Sequence, residues 1–347
     1  MINYFRFPIA FAAIVFAALY FYTRDISYVG TAIDLAFVEV SLSFDNAVVN
    51  AIKLKEMSGF WRTAFLTVGL LIAVGFMRFF LPLEIVSFFG KLSLHDAYSL
   101  AFTNHEKFTS ILEKSNDAIS GFGGAFLAMV AFKYFIDSEK ESHWISIFEI
   151  PMTYIHKFAQ ICELESIHAI LVLAVSTALY FSGWSLHFLL AAICGVIAFM
   201  VIEIFKTLIE LFDSTLEKKE NVSGVLKLIT GGLGLFIYLE VLDASFSFDG
   251  VIAAFAISKN VLVVASGLGV GAAFVRGMTL MLVDTGKMAE YKYLENGAFF
   301  AILAIAAFMF TTPMVHIPDT VVAVTSMVVI ITAWLHSYVA NKLEVNS

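Results

Sequence analysis

The chain has 347 residues, of which 60% are hydrophobic and only 14% charged, with a mean hydropathy of +0.88; a water-soluble fold of this size cannot hide so much apolar surface. The formal net charge of −8 therefore describes loops and buried sites, and no nucleic-acid partner is expected. Cys162 and Cys194 lack CxxC spacing and the eight histidines form no HxxxH pair, so neither a disulfide framework nor a soft-metal cluster is expected.

A hydrocarbon core about 30 Å thick needs about 20 apolar residues per helix, and such runs recur along the whole chain. They predict an all-α polytopic membrane protein of about ten transmembrane helices, a single transmembrane domain over 1–347 in contact with the lipid bilayer. The first helix, 5–22, follows one basic residue and ends in Leu19-Tyr20-Phe21-Tyr22, without the small residues of a cleavage site, and reads as retained. Next come 29–53, 60–82 and 118–136, then 166–183 and 186–206, then 225–257, 260–283, 296–312 and 319–339. The polar stretches 91–117, 137–165 and 207–224 read as loops or surface helices.

Two of these helices are long and carry acids at mid-length. Ser41-Leu42-Ser43-Phe44-Asp45 in the second returns as Ser245-Phe246-Ser247-Phe248-Asp249 in the seventh, with Glu39 and Asp243 six residues before each aspartate. The spacing from 39 to 243 equals that from 45 to 249, so the chain reads as a duplicated unit. A tilt, or a break near each motif, would account for both the length and the charge.

Fifteen of the 21 basic residues fall on one side of the ten-helix arrangement, which puts both termini in the cytoplasm. The motif helices, second and seventh in order, then enter the membrane from opposite faces, as in an inverted-topology repeat with its binding site at the midplane. The repeat units are 29–136 and 225–312, three helices each. Between them lie connecting loops and two added helices (137–224), with 319–339 as a further added helix.

A carboxylate at a helix centre costs at least ~2.5 kcal/mol on insertion scales, so these acids must be protonated, paired, hydrated or bound to a cation. On an unbroken helix Glu39 and Asp45 would stand about 9 Å apart along the axis and about 120° apart around it, too far to chelate one small ion. Two half-sites, or a broken helix, would bring them together. Ser43 and Ser247 add hydroxyl oxygens and Asn46 an amide oxygen, while Glu240, one turn before Asp243, is a further candidate ligand. An all-oxygen, acidic shell suits hard divalent ions such as Mn²⁺, Mg²⁺ or Ca²⁺. The plainer alternative is that the acids pair with Arg78, Arg276 or Lys206 and hold helices together. Arg78 and Arg276 could also serve a cation site as counter-charges. No phosphate loop or serine-nucleophile motif is present, and an enzyme is not expected.

Glu39-Val40-Ser41-Leu42-Ser43-Phe44-Asp45-Asn46 resembles the Glu-x-x-Leu-Ser-x-Asp-Asn signature of the TerC family, and Asp243 to Asp249 its second, Asp-x-x-x-x-x-Asp, signature. The similarity is closer to a branch of uncharacterised integral membrane proteins and extends to Tyr293-Leu294-Glu295-Asn296-Gly297-Ala298. The resemblance implies a bacterial inner-membrane protein related to the LysE-type exporters, with Mn²⁺ export as the expected activity. The metal ligands it implies are Glu39, Asp45, Asn46, Asp243 and Asp249, with the cation as substrate and no permanently bound cofactor. Gly250 stands where the second motif would match Asn46, and the added helices lie outside the short TerC core. Proton coupling and homo-oligomer or membrane-complex partners are further expectations. Two other functions are compatible with the sequence: a metal-binding scaffold or stress-response assembly protein without transport, and an exporter of small organic solutes.

Overall fold

The computed structural model describes residues 2–55, 57–136, 142–161, 166–217, 232–243, 251, 254, 257, 258, 260–285, 291–315, 317 and 319–345. Among them there is no strand, and the chain is an all-α, multi-pass membrane protein. Its helices are α1 (Ile2–Thr23), α2 (Ile26–Leu42), α3 (Phe44–Leu54) and α4 (Gly59–Ala64). Two π-helical segments follow, Phe65–Gly69 and Ile72–Phe80, and lead into α5 (Leu81–Gly90), α6 (Leu94–Thr103) and α7 (His105–Lys114). The rest are α8 (Asn116–Ile136), α9 (Ser146–Ile161), α10 (Ile167–Phe181), α11 (Leu186–Glu217), α12 (232–243), α13 (Val261–Asp284), α14 (Leu294–Thr311) and α15 (Asp319–Val345).

Among the described residues, seven helices are long and apolar enough to cross a membrane. The remaining three expected helices take other forms. Ile167–Phe181 is a shorter apolar helix, 29–53 is broken into α2 and α3, and 225–257 is described only in part. Three expected ends were too early, among them that of 319–339, where α15 runs on to Val345. The third helix continues past Pro82 as a rod from Gly59 to Phe88, because the proline falls in the first turn of α5, just after a π segment, where its missing N–H costs least. α11 runs on to Glu217, since 207–217 contains helix formers and neither glycine nor proline.

The chain divides into two compact units, Met1–Asn116 with Ile202–Asp284, and Asp117–Val201 with Thr285–Ser347. In the first, α2 and α13 run side by side in the same direction: Gly267 faces Ala32 and Leu35, and Gly271 faces Ala36 and Glu39. The rod opposes α13, with Phe65 and Gly69 beside Arg276 and Val74 beside Gly269. α12 follows the rod, with Trp61 against Gly232 and Phe236, and Gly69 against Glu240. The two acid-bearing segments, α2 and α12, therefore run in opposite directions. The polar stretch after α5 forms two amphipathic helices whose apolar residues Ala97, Ala101, Phe108 and Leu112 enter the core with Val86 and Val264. Ser93 caps α6, accepting from the Asp96 N–H at 3.1 Å, and its hydroxyl donates to the Asp96 carboxylate, holding that acid below the usual range.

α5 ends on Lys91, which takes a left-handed conformation (φ 51°) while the next N–H, of Leu92, returns to the Ser87 carbonyl at 2.9 Å. A side chain is strained there, so Lys91→Gly is expected to raise stability by about 0.5–1 kcal/mol, read as a higher midpoint in thermal unfolding of detergent-purified protein.

In the second unit, α8 and α11 run parallel in close backbone contact, Gly121 against the Phe188 carbonyl and Gly195 against that of Phe122. α14 opposes α8, with Tyr134 and Phe299 stacked at 3.8 Å and Gly124 against Phe310. α15 opposes α14, where the Tyr293 N–H donates to Ser337 Oγ at 2.8 Å. Glu149, fully buried, accepts from the N–H groups of Trp144 and Ile145, both at 2.9 Å, and so caps α9. Asn296 and Ser142 bond each other twice, at 2.7 and 3.0 Å. The Asn296-Gly297 pair thus has a packing role: Asn296 anchors the segment before α9, and Gly297 admits Ala333 of α15.

Candidate functional site

The segment 29–53 breaks at one residue. Ser43 adopts φ −101° and ψ 20°, outside the helical region, and serves as the last cap of α2 and the first of α3. The break falls inside the motif, between Glu39 and Asp45, so of the two alternatives, tilt or break, this helix shows the break. Ser43 keeps its backbone bond to the Glu39 carbonyl (2.9 Å), and its hydroxyl donates to the Glu39 carboxylate at 3.3 Å.

Glu39, Ser43, Asn46 and Asp243 line one cavity, together with Arg78, Ala272, Val275 and Arg276. Residues of both motifs are thus gathered at one place in the first unit. Glu39, Arg78, Asp243 and Arg276 are each more than nine-tenths buried, so Coulomb forces between them are little screened. Arg78 donates to Glu39 and, at 2.9 Å, to the Ala73 carbonyl. Arg276 donates to Glu240 at 3.3 Å and Asp243 at 3.5 Å, and also to the carbonyls of Phe65 and of Gly69, the latter at 3.0 Å. Its guanidinium lies 4.0 Å above the centre of the Phe65 ring.

The π-helical segments explain how the rod serves both arginines. A π turn interrupts the regular i to i−4 ladder, which frees carbonyl groups for other donors. Phe65, Gly69 and Ala73 all lie in these segments, and all three accept from an arginine. Gly69 also lets both side chains in: a Cβ there would fall 2.1 Å from Glu240 Oε1 and 2.7 Å from an Arg276 Nη, and both would have to shift. The two acid–arginine pairs share one plan. In each expected unit the first helix supplies the acid (Glu39; Asp243) and the second supplies its arginine (Arg78; Arg276).

Of the expected ligands, Glu39, Ser43, Asn46 and Asp243 share the cavity, and Glu240 stands beside it on Arg276. The backbone of Asp45 opens α3, but its side chain, like Ser247 and Asp249, lies outside the described residues. Among the described residues no three acidic, histidine or cysteine side chains are grouped to hold a metal ion. Sequence reasoning missed Asn50, 1% exposed on α3. Its signal was available, one turn after Asn46 in an otherwise apolar run.

A helical, multi-pass membrane protein with a buried cluster of carboxylates, arginines and amides is the class that fold and site define. Residues 44–344 match the family described as proteins of unknown function, DUF475, and the chain belongs to that family. No curated protein and no solved structure matches it.

Proposed function

We propose that this protein is a divalent-cation transporter, with Mn²⁺ export as the activity that best fits its TerC-like signatures. The observation that carries the reading is that Glu39, Ser43 and Asn46 of one motif and Asp243 of the other line one buried cavity, reached by helices running in opposite directions. Oxygen ligands of this kind suit hard divalent ions. Acids within a span are costly and rare, and they commonly mark an ion or substrate pathway.

In this reading Arg78 and Arg276 are counter-charges. An entering cation takes over the carboxylates from the guanidinium groups, and the site opens alternately to the two faces. Carboxylates that release a metal can take up protons, which provides for proton counter-transport. In this reading the membrane is a bacterial inner membrane, as the TerC-like signatures imply, and the basic-residue bias supports both termini on its cytoplasmic face. No residue is assigned a catalytic role.

Radiolabelled Mn²⁺ flux in proteoliposomes tests the reading. Asp45→Asn and Asp249→Asn are each expected to reduce flux at least tenfold while the protein stays folded and inserted; wild-type flux in both variants would sink it. The ion pairs by themselves favour a second reading, a membrane scaffold whose acids only join helices. That version gives no flux in the wild type, together with co-purifying partners.

A further inference from the structure

We infer that the transport path continues from the cavity along α3 to Asn50, whose amide oxygen is a neutral ligand for a partly hydrated divalent cation; the inference rests on the transport reading above. Asn46 and Asn50 stand four residues apart within α3, so at 100° per residue they share one face of the helix, and Ser43 caps its start. Ser43 and Asn46 line the cavity, and Asn50 is the next polar position on that face, one turn closer to the C-terminal end of α3.

Burial separates Asn50 from an ordinary surface asparagine. Glu39, Ser43, Asn46 and Asn50 are 3%, 7%, 4% and 1% exposed, and the neighbours Ala47, Val48, Val49 and Ala51 are buried as well. Yet Asn50 Oδ1 has no hydrogen-bond partner among the described residues. A buried amide of structural purpose bonds across to a neighbouring helix. An unsatisfied one costs about 1–3 kcal/mol. A mobile hydrated ion, present only in passing, gives that oxygen a partner and the residue a purpose.

The chemistry suits a second station better than a second trap. Carboxylates at the cavity supply charge, whereas an amide oxygen binds a hard cation more weakly, and a conducting site must release what it holds. Beyond Asn50 the helix ends at Leu54, whose carbonyl accepts from Arg62 Nε at 2.9 Å, while Arg62 Nη2 donates to the Lys55 carbonyl at 2.9 Å. The path therefore leads toward the basic end of the first unit.

The test compares wild type, Asn50→Leu and Asn50→Asp in Mn²⁺ flux, with thermal unfolding of each purified protein. Asn50→Leu is expected to reduce kcat at least tenfold with an unchanged or raised melting temperature, because it removes an unpaired polar atom. Asn50→Asp, with a carboxylate at the station, is expected to lower KM and kcat together, at least threefold each. Wild-type kinetics in folded Asn50→Leu would overturn the inference. If that variant fails to fold, unchanged KM and kcat in Asn50→Asp overturns it alone. Absence of flux in the wild type removes the transport reading itself, and the wild-type measurement distinguishes that failure from a failure of Asn50.

Discussion

Arg276→Ala is expected to destabilise the protein by about 3–5 kcal/mol, the range for removing one partner of a buried ion pair. Arg276 holds Glu240 and Asp243 on α12, and the carbonyls of Phe65 and Gly69 on the rod. Its loss leaves two buried acids and two carbonyls without that donor, and removes the hydrogen bonds that join α13 to α12 and to the rod. Much of the cost is the uncompensated negative charge, so the added changes Glu240→Gln and Asp243→Asn are expected to restore part of the stability. Thermal unfolding in detergent measures both variants. A melting temperature for Arg276→Ala equal to that of the wild type would show that the pairs contribute nothing.

Gly271→Val is expected to have the next largest effect, at least 1–3 kcal/mol from overpacking. A Cβ at this position would lie 2.5 Å from both Cβ and Cγ of Glu39 and 3.1 Å from the Ala36 carbonyl. No rotamer of Glu39 escapes a clash with its own Cβ, so α2 must move away from α13, and the Glu39–Arg78 pair moves with it. Under the transport reading, flux falls as well. Gly30 on α2 is the control: a Cβ there meets nothing within 4 Å, so Gly30→Ala is expected to stabilise by about 0.5–1 kcal/mol through helix propensity. Equal melting temperatures for Gly271→Val and Gly30→Ala would contradict the close packing of α2 on α13.

Hydropathy alone made the spans legible, because a membrane helix must be apolar over a fixed length. The break at Ser43 was legible only as one of two alternatives, because a long helix with acids at its middle can either tilt or be interrupted, and length and charge do not choose between them. Arg78 and Arg276 could be named as counter-charges, but which acid each meets depends on helix direction and register. The π segments were not legible. Phe65-Leu66-Thr67-Val68-Gly69 reads as any apolar helix, and the carbonyls it turns toward Arg276 have no side-chain signature. The stretch 91–117 looked merely polar because α6 and α7 bury one face only, and a window average hides that face. Glu149 was passed over for a related reason. Its polar surroundings suggested a surface helix, whereas its carboxylate is fully buried and caps α9.

The acid–arginine pairs bear on how such a chain can be made. Glu39 meets Arg78 only 39 residues later, and Asp243 meets Arg276 33 residues later. Each charge thus finds its opposite within the next span to leave the ribosome. A nascent hairpin can enter the bilayer with its arginine already matched to an acid, before the distant half of the protein has been synthesised. Separating acid and arginine by several spans would leave a naked charge waiting in the lipid, and their adjacency in the chain spares the insertion machinery that burden.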